Sequence, residues 1–202
     1  MKLFHSPTSP YVRKVMVLLA ETGQLGSVEL VSAAGTPVNP GSMPVDHNPL
    51  GKIPALLPDT GPAIFDSRVI CRYLDDRAGG KLYPKGDALW PVLTLEAMAD
   101  GMTDAAILMV YEARVRPQEI RMAAWVDGQW SKISRSLDAL ETAWLAHLDG
   151  PLNMGQVALG CALEYLDFRH GARDWRKGHP KLAAWQKAFS ERASMKDTAP
   201  AE

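Results

Sequence analysis

Cysteine is nearly absent: the chain has two, Cys71 and Cys161, among 202 residues. They stand far apart in apolar surroundings and form neither a CxxC pair nor part of a metal cluster. That excludes a disulfide scaffold and a thiolate metal site, and it suits a reducing compartment with buried thiols. An excess of charge of one sign is also missing. Lys and Arg number 22 and Asp and Glu 23, for a net charge of −1. No strong field gathers DNA or anionic lipid, so neither nucleic acid nor a membrane surface is an expected partner. Long hydrophobic runs are absent as well. A run such as Val15–Ala20 falls far short of the roughly 20 residues that span a membrane. The first residues show no signal-peptide core with a small-residue cleavage site, so a cytoplasmic location is expected. The sequence contains no internal repeat and no low-complexity segment.

What is present is ordinary for a globular chain: 47% hydrophobic and 22% charged residues, enough for one large domain or two small ones. The first part alternates strand and helix signals. Leu3-Phe4 read as a short strand. Val12, Val15, Met16 and Leu19 then fall on one face of a helix. Pro10 suits its first position and Gly23 its end. Residues 28–31 read as a second strand. Residues 33–52, rich in Gly, Pro, Asn and Ser, read as loop or weak helix. Residues 53–57 and 63–66 read as strands about the turn chemistry of Pro58-Asp59-Thr60-Gly61. A helix follows from Ser67 to Ala78. Residues 79–87 have linker composition. Beyond them only helical patterns occur, at about 88–115, 118–147, 154–170 and 181–193, with a loose tail from about Lys196. The expected organisation is therefore an α/β domain over 1–78, a linker over 79–87 and an all-helical domain over 88–202.

Three local features carry possible chemistry. Ser6, Thr8 and Ser9 crowd a turn before the first helix, and Ser9 before Pro10 is the natural N-cap. Pro54 enters a strand where it has no N–H to donate, which a cis Ile53–Pro54 bond or a first-position proline explains. Asp66-Ser67 stands where a strand gives way to a helix. It reads as a cap and also as a carboxylate site with an adjacent acceptor for an ammonium group.

Taken together, Ser9-Pro10-Tyr11-Val12-Arg13-Lys14, residues 48–56 (Asn-Pro-Leu-Gly-Lys-Ile-Pro-Ala-Leu) and residues 65–70 (Phe-Asp-Ser-Arg-Val-Ile) resemble the soluble glutathione S-transferase superfamily. The likeness is to a bacterial, serine-type member. It continues through residues 99–105, Arg116-Pro117, residues 159–169 and residues 179–185, and so spans nearly the whole chain. The resemblance implies a thioredoxin-like N-terminal domain, βαβ-ββα with a mixed four-stranded sheet, followed by an all-α helical bundle. It implies glutathione as co-substrate, no metal, a homodimer, and conjugation of a small hydrophobic electrophile. Ile53 beside a cis Pro54 would bind the cysteinyl backbone. Asp66 and Ser67 would hold the γ-glutamyl carboxylate and ammonium. Val38, His47 and Lys52 are candidates for the glycyl end. Ser9 would meet the sulfur, with Thr8 and Ser6 as alternatives.

In chemical terms, a free thiol has a pKa near 8.5. A helix N-terminus and a hydroxyl donor both favour its anion. Ser9 need not act as a base or form a covalent bond. Ser9 and Val12 occupy the places of a redox cysteine pair, which excludes a protein disulfide cycle there. Met102, Met109 and Tyr111 are candidates for the electrophile pocket and equally for ordinary core. Asp100 or Asp104 is a candidate to reach a partner subunit's glutathione. Asn153 and Gln156 replace the family's usual capping pair, and together they still satisfy a capping box. Two other readings stand beside the transferase: a non-catalytic binding protein of the same fold, and a glutathione-dependent peroxidase or reductase.

Overall fold

The computed structural model describes residues 1–201. In chain order its elements are β1 (Lys2–His5), α1 (Pro10–Glu21), β2 (Glu29–Ser32), β3 (Ala55–Leu57), α2 (Ser67–Arg77), α3 (Leu89–Arg114), α4 (Ala123–Ala139), α5 (Met154–His170), α6 (Pro180–Phe189) and α7 (Ala193–Asp197). The chain divides into two compact units. Among the described residues, one comprises Met1–Lys85 with residues 193–201, the other Gly86–Arg192.

In the first unit the strand order is β2-β1-β3. β1 pairs parallel with β2, Leu3 opposite Leu30, and α1 makes the crossover that a parallel pair requires. β3 runs antiparallel to β1, with Leu3 opposite Leu56. Leu3, Leu56 and Ala55 are fully buried with Val15, Leu18 and Leu19 of α1 and Ile70 and Leu74 of α2. The sheet has three strands where four were expected. The segment 63–66 contributes only an antiparallel bridge, Ile64 to Leu56, closed by two backbone bonds of 2.8 and 2.9 Å. Its extension is blocked at both ends. Pro62 has no N–H to offer, and Asp66 already serves as the N-cap of α2.

The amphipathic pattern of α1 understates its burial. Val12, Val15 and Leu19 are buried as expected and Met16 only partly, but Arg13 and Lys14 are buried too. Arg13 is held by an element from the far end of the chain. Residues expected to form a loose tail instead include α7, where Met195 is 1% exposed. Arg13 Nη2 donates to the Met195 carbonyl at 3.0 Å, and Ser194 Oγ donates to Glu21. Asp75, near the end of α2, accepts from the backbone N–H groups of Lys81, Leu82 and Tyr83 at 2.9–3.2 Å. It thereby fixes the segment whose composition reads as a linker.

The second unit is helical. α3 and α5 pack along one another around Leu95, Ala99, Met102, Ala106, Leu159 and Leu163. Gly155 lets them approach: a Cβ there would lie 3.0 Å from Leu95 Cβ, Leu95 Cδ2 and the Val92 carbonyl oxygen. α5 opens with the expected capping box, Gln156 N donating to Asn153 Oδ1 and Asn153 N to Gln156 Oε1, each at 3.1 Å. Where one helix was expected over 118–147, a 3₁₀ turn at Gln118–Ile120 precedes α4, and a π turn at Leu140–Trp144 follows it. Among the described residues no helix is long and apolar enough to cross a membrane, and no group of His, Cys, Asp and Glu is placed to hold a metal ion. Cys71 and Cys161 are buried and not disulfide-bonded.

Candidate functional site

The turn after β1 closes when Ser9 N donates to the Ser6 carbonyl at 3.1 Å. Ser9 is extended, with φ −84° and ψ 118°, and its Oγ accepts from Val12 N at 3.3 Å, so it is the N-cap of α1. Pro10 at the first helical position lacks an N–H, so no donor is lost there. A hydroxyl has one proton and two lone pairs, and the cap uses only a lone pair. Ser6 Oγ and Thr8 Oγ1 lie 3.2 Å apart and hydrogen-bond each other. Of the three candidate hydroxyls, then, Ser9 stands at the helix end, while Thr8 and Ser6 form a pair of their own.

The Ile53–Pro54 peptide bond is cis. Pro54 is buried and Ile53 half-buried at the entrance to β3. The preceding loop is held by Asn48, whose role the sequence reading did not assign. Its side chain is 2% exposed. It donates through Nδ2 to the Lys52 carbonyl at 2.8 Å and accepts through Oδ1 from Leu50 N at 3.1 Å. Gly51 reverses the chain between these contacts with a φ of 59°, which glycine adopts without steric cost. The signal was present as Asn48-Pro49, since asparagine bonds its own backbone two residues on. Lys52 itself is exposed. Val38 is exposed on the Thr36–Asn39 turn, and exposed His47 lies against Phe4, ring centroids 5.5 Å apart.

Asp66 caps α2, its Oδ1 accepting from Arg68 N at 3.0 Å. Ser67, the first helical residue, is buried. The backbone N–H groups of this first turn form the positive end of the helix.

Strand register brings these segments together. Phe4 lies opposite Ala55, so the end of β1 and the Ile53–Pro54 bond share one end of the sheet. Leu56 lies opposite Ile64, so Asp66, two residues on, returns to that same end. β2 runs parallel to β1, and Ala33 N donates to the His5 carbonyl, so the loop bearing Val38 leaves from this end too. Neighbouring strands lie about 4.8 Å apart, which puts roughly 10 Å between the lines of β1 and of residues 63–66. An extended tripeptide, at about 3.3 Å per residue, covers that distance. The sheet end thus offers two helix N-termini, a hydroxyl at one and a carboxylate at the other, with the backbone of Ile53 between them. That set can hold an extended molecule bearing an anion at one side and a zwitterion at the other.

In the helical unit Met102 and Met109 are buried in the core and Tyr111 is half-buried, while Asp100 is buried and Asp104 exposed. The strongly placed carboxylates of this unit are structural. Glu112 accepts from Met122 N at 2.9 Å and Arg116 Nε at 2.7 Å, contacts that lower its pKa. Asp167 holds Arg176 through both oxygens and also takes the Trp175 indole N–H. Burial pushes the Tyr165 phenol up and His170 down.

Residues 8–77 match the family model for the glutathione S-transferase N-terminal domain, and residues 123–188 that for the C-terminal domain. The chain is 35% identical to the uncharacterized GST-like protein YibF of Escherichia coli (strain K12), over 99% of this chain and 98% of that one. Among solved structures it is similar to a glutathione transferase family member from Pseudomonas fluorescens with bound glutathione. That structure is 49% identical, with a TM-score of 0.97 over 100% of this chain and 99% of the other. A second structure described in the same words carries bound S-(propanoic acid)-glutathione, at 48% identity and a TM-score of 0.93, with full coverage of both chains.

Proposed function

The chain belongs to the glutathione S-transferase family, and from that premise we propose that it is a glutathione transferase acting on a small, largely apolar electrophile. The observation that carries this reading is the sheet end itself: Ser9 at the N-terminus of α1, the Ile53–Pro54 backbone, and Asp66-Ser67 at the N-terminus of α2. In this assignment Ile53 pairs through its main chain with the cysteinyl residue of glutathione. The first turn of α2, with Ser67, takes the γ-glutamyl carboxylate, and Asp66 takes the ammonium. Lys52 and Val38 border the glycyl end. Of the residues expected to meet the electrophile, Met102 and Met109 are buried in the core of the helical unit, and half-buried Tyr111 is kept as the candidate. The protein acts as a cytoplasmic homodimer.

Ser9 donates its hydroxyl proton in a hydrogen bond to the glutathione sulfur, and the α1 terminus adds its partial positive charge. The thiol proton leaves to water. Lowering a thiol pKa from about 8.5 to about 6.5 takes about 2.7 kcal/mol of preference for the anion, within reach of one charge-assisted bond and one helix end. The thiolate pair forms the S–C bond. In a substitution the leaving group departs with the old bonding pair. In an addition the displaced π pair takes a proton from water. Binding of glutathione and of S-(propanoic acid)-glutathione in structures 49% and 48% identical to this chain supports the co-substrate and room for a small group on its sulfur.

The test has two arms. Wild-type protein is expected to be retained on immobilised glutathione and Asp66→Ala to be lost from it. The ultraviolet thiolate absorbance of bound glutathione, followed against pH, is expected to shift upward by about one to two pH units in Ser9→Ala. Absence of retention removes the enzyme. Retention with an unchanged thiol pKa in both proteins leaves a binding protein without this mechanism.

A further inference from the structure

Two charged side chains of α1 reach the last helix of the first unit. Glu21, at the end of α1, accepts from Ser194 Oγ, and Arg13, near its start, donates through Nη2 to the Met195 carbonyl at 3.0 Å. Arg13 Nε also points to Thr198 Oγ1 at 3.5 Å, and that hydroxyl donates to the Ser194 carbonyl at 2.7 Å. Arg13, Ser194 and Met195 are all buried. Residues 13 and 21 stand about 12 Å apart along the helix axis, so α1 clasps α7 from both of its ends.

Arg13 is also part of the turn that Ser9 caps. Its backbone N–H donates to the Ser9 carbonyl at 3.0 Å, while Val12 N donates to Ser9 Oγ at 3.3 Å. Helix ends open locally at little cost, and an opened first turn carries Ser9 Oγ away from the helix end. A side chain anchored on another element resists that opening, because the turn cannot open at Arg13 without straining a buried hydrogen bond from a charged group. Three links thus run in series from the Met195 carbonyl through Arg13 to Ser9. A donor held in place before the ligand arrives stabilises an anion with no cost of reorganisation.

We propose that Arg13 is a positioning residue: gripped by α7, it holds the first turn of α1 closed and so keeps the Ser9 hydroxyl fixed at the helix end. Its effect on glutathione rests on the transferase reading; its hold on the turn does not.

The test uses the full chain. Without glutathione, amide hydrogen exchange is followed at positions 12 and 13 and, as a measure of global stability, at Leu3 of the central strand. Arg13→Met is expected to speed exchange at positions 12 and 13 by about tenfold or more beyond any change at Leu3, as the loss of a hydrogen bond from a charged group does. Arg13→Lys, which keeps a charged donor, should restore part of the protection. Thr198→Val, which alters no residue of α1, should act in the same direction, and it repeats the test should Arg13→Met fail to fold. Bound glutathione gives the second readout. Either variant is expected to raise its thiol pKa by about half a unit to one unit, less than Ser9→Ala does. Neither should add to the shift in a Ser9→Ala background, because both act through one hydroxyl. Unchanged exchange in both variants would overturn the hold on the turn. Faster exchange with a thiol pKa that only Ser9→Ala moves, or shifts that add in full, would overturn the positioning of Ser9. A wild type not retained on immobilised glutathione removes the transferase reading, and the exchange rates then decide the inference alone.

Discussion

Asn48 holds the carbonyl of Lys52, the residue before Ile53, and Asn48→Ala measures how far the position of Ile53 depends on that contact. The side chain is 2% exposed and makes two hydrogen bonds to its own loop, at 2.8 Å to the Lys52 carbonyl and at 3.1 Å from Leu50 N. Each such bond is worth about 1 kcal/mol net, so their joint loss costs about 2 kcal/mol. How that cost is expressed depends on the loop. If residues 49–52 stay in place with unpaired backbone groups, the whole cost falls on folding. In a chain of this size it lowers the Tm by about 4–8 °C. If the loop instead loosens locally, the cost is met again on binding, and glutathione affinity falls by up to about thirtyfold. Thermal unfolding and glutathione titration on the same variant therefore give two numbers that together account for about 2 kcal/mol. Asn48→Asp adds a control of nearly equal shape. It keeps the acceptor for Leu50 N but sets a carboxylate against the Lys52 carbonyl, so it is expected to be at least as damaging. A variant with Tm within 1 °C and affinity within twofold of wild type would refute the claim that this side chain positions Ile53.

Two further perturbations probe the helical unit. Gly155→Ala is expected to destabilise by about 1–2 kcal/mol in urea unfolding. Overpacking against Leu95 and the Val92 carbonyl at 3.0 Å outweighs the gain of up to about 1 kcal/mol in helix propensity, and a neutral or stabilising result would show that α3 and α5 yield easily. His170, whose pKa burial lowers from 6.5 while its Nε2 lies 3.0 Å from the Ala106 carbonyl, takes up its proton more readily in the unfolded chain. Its contribution is complete above pH 6.5 and is lost as pH falls toward the lowered folded value. Unfolding free energy should accordingly decline on acidification just below pH 6.5 with a shallower slope in His170→Gln, and identical slopes would refute the assignment.

Local signals made most elements legible. The capping box at Asn153 and Gln156 sets the start of α5 at Met154, and the turn chemistry at residues 58–61 separates β3 from the Ile64 bridge. What was not legible depends on partners far away in sequence. The pattern Ala63-Ile64-Phe65-Asp66 reads as a strand, but Pro62 and the capping duty of Asp66 leave room for a single bridge. Periodicity assigned α1 one buried face, yet Arg13 is buried too, its Nη2 bonded to the Met195 carbonyl of α7, some 180 residues on. No window along the chain contains that information. Asp75, read simply as part of a helix, gathers three N–H groups of the following segment. The candidate site divides the same way. Each of its three motifs was visible locally, whereas their meeting at one sheet end follows from the β1–β3 register and the Leu56–Ile64 bridge.

That meeting gives the two caps different work on the proposed reading. Both α1 and α2 begin with an N-cap whose oxygen accepts from the first turn, Ser9 from Val12 N and Asp66 from Arg68 N. A serine cap accepts through a lone pair and retains a proton, so it adds a donor to the positive end of its helix and favours an anion there. An aspartate cap has no proton to give at neutral pH and brings a negative charge. It opposes a lone anion but suits a group that carries an ammonium beside its carboxylate, because the carboxylate still finds the backbone N–H groups of the helix. Exchanging the two caps would leave both helices capped and both ends mismatched, with a carboxylate facing the sulfur and a neutral hydroxyl facing the ammonium. On the proposed reading the order serine at α1 and aspartate at α2 matches the charges of glutathione, since either residue would satisfy the helices alone.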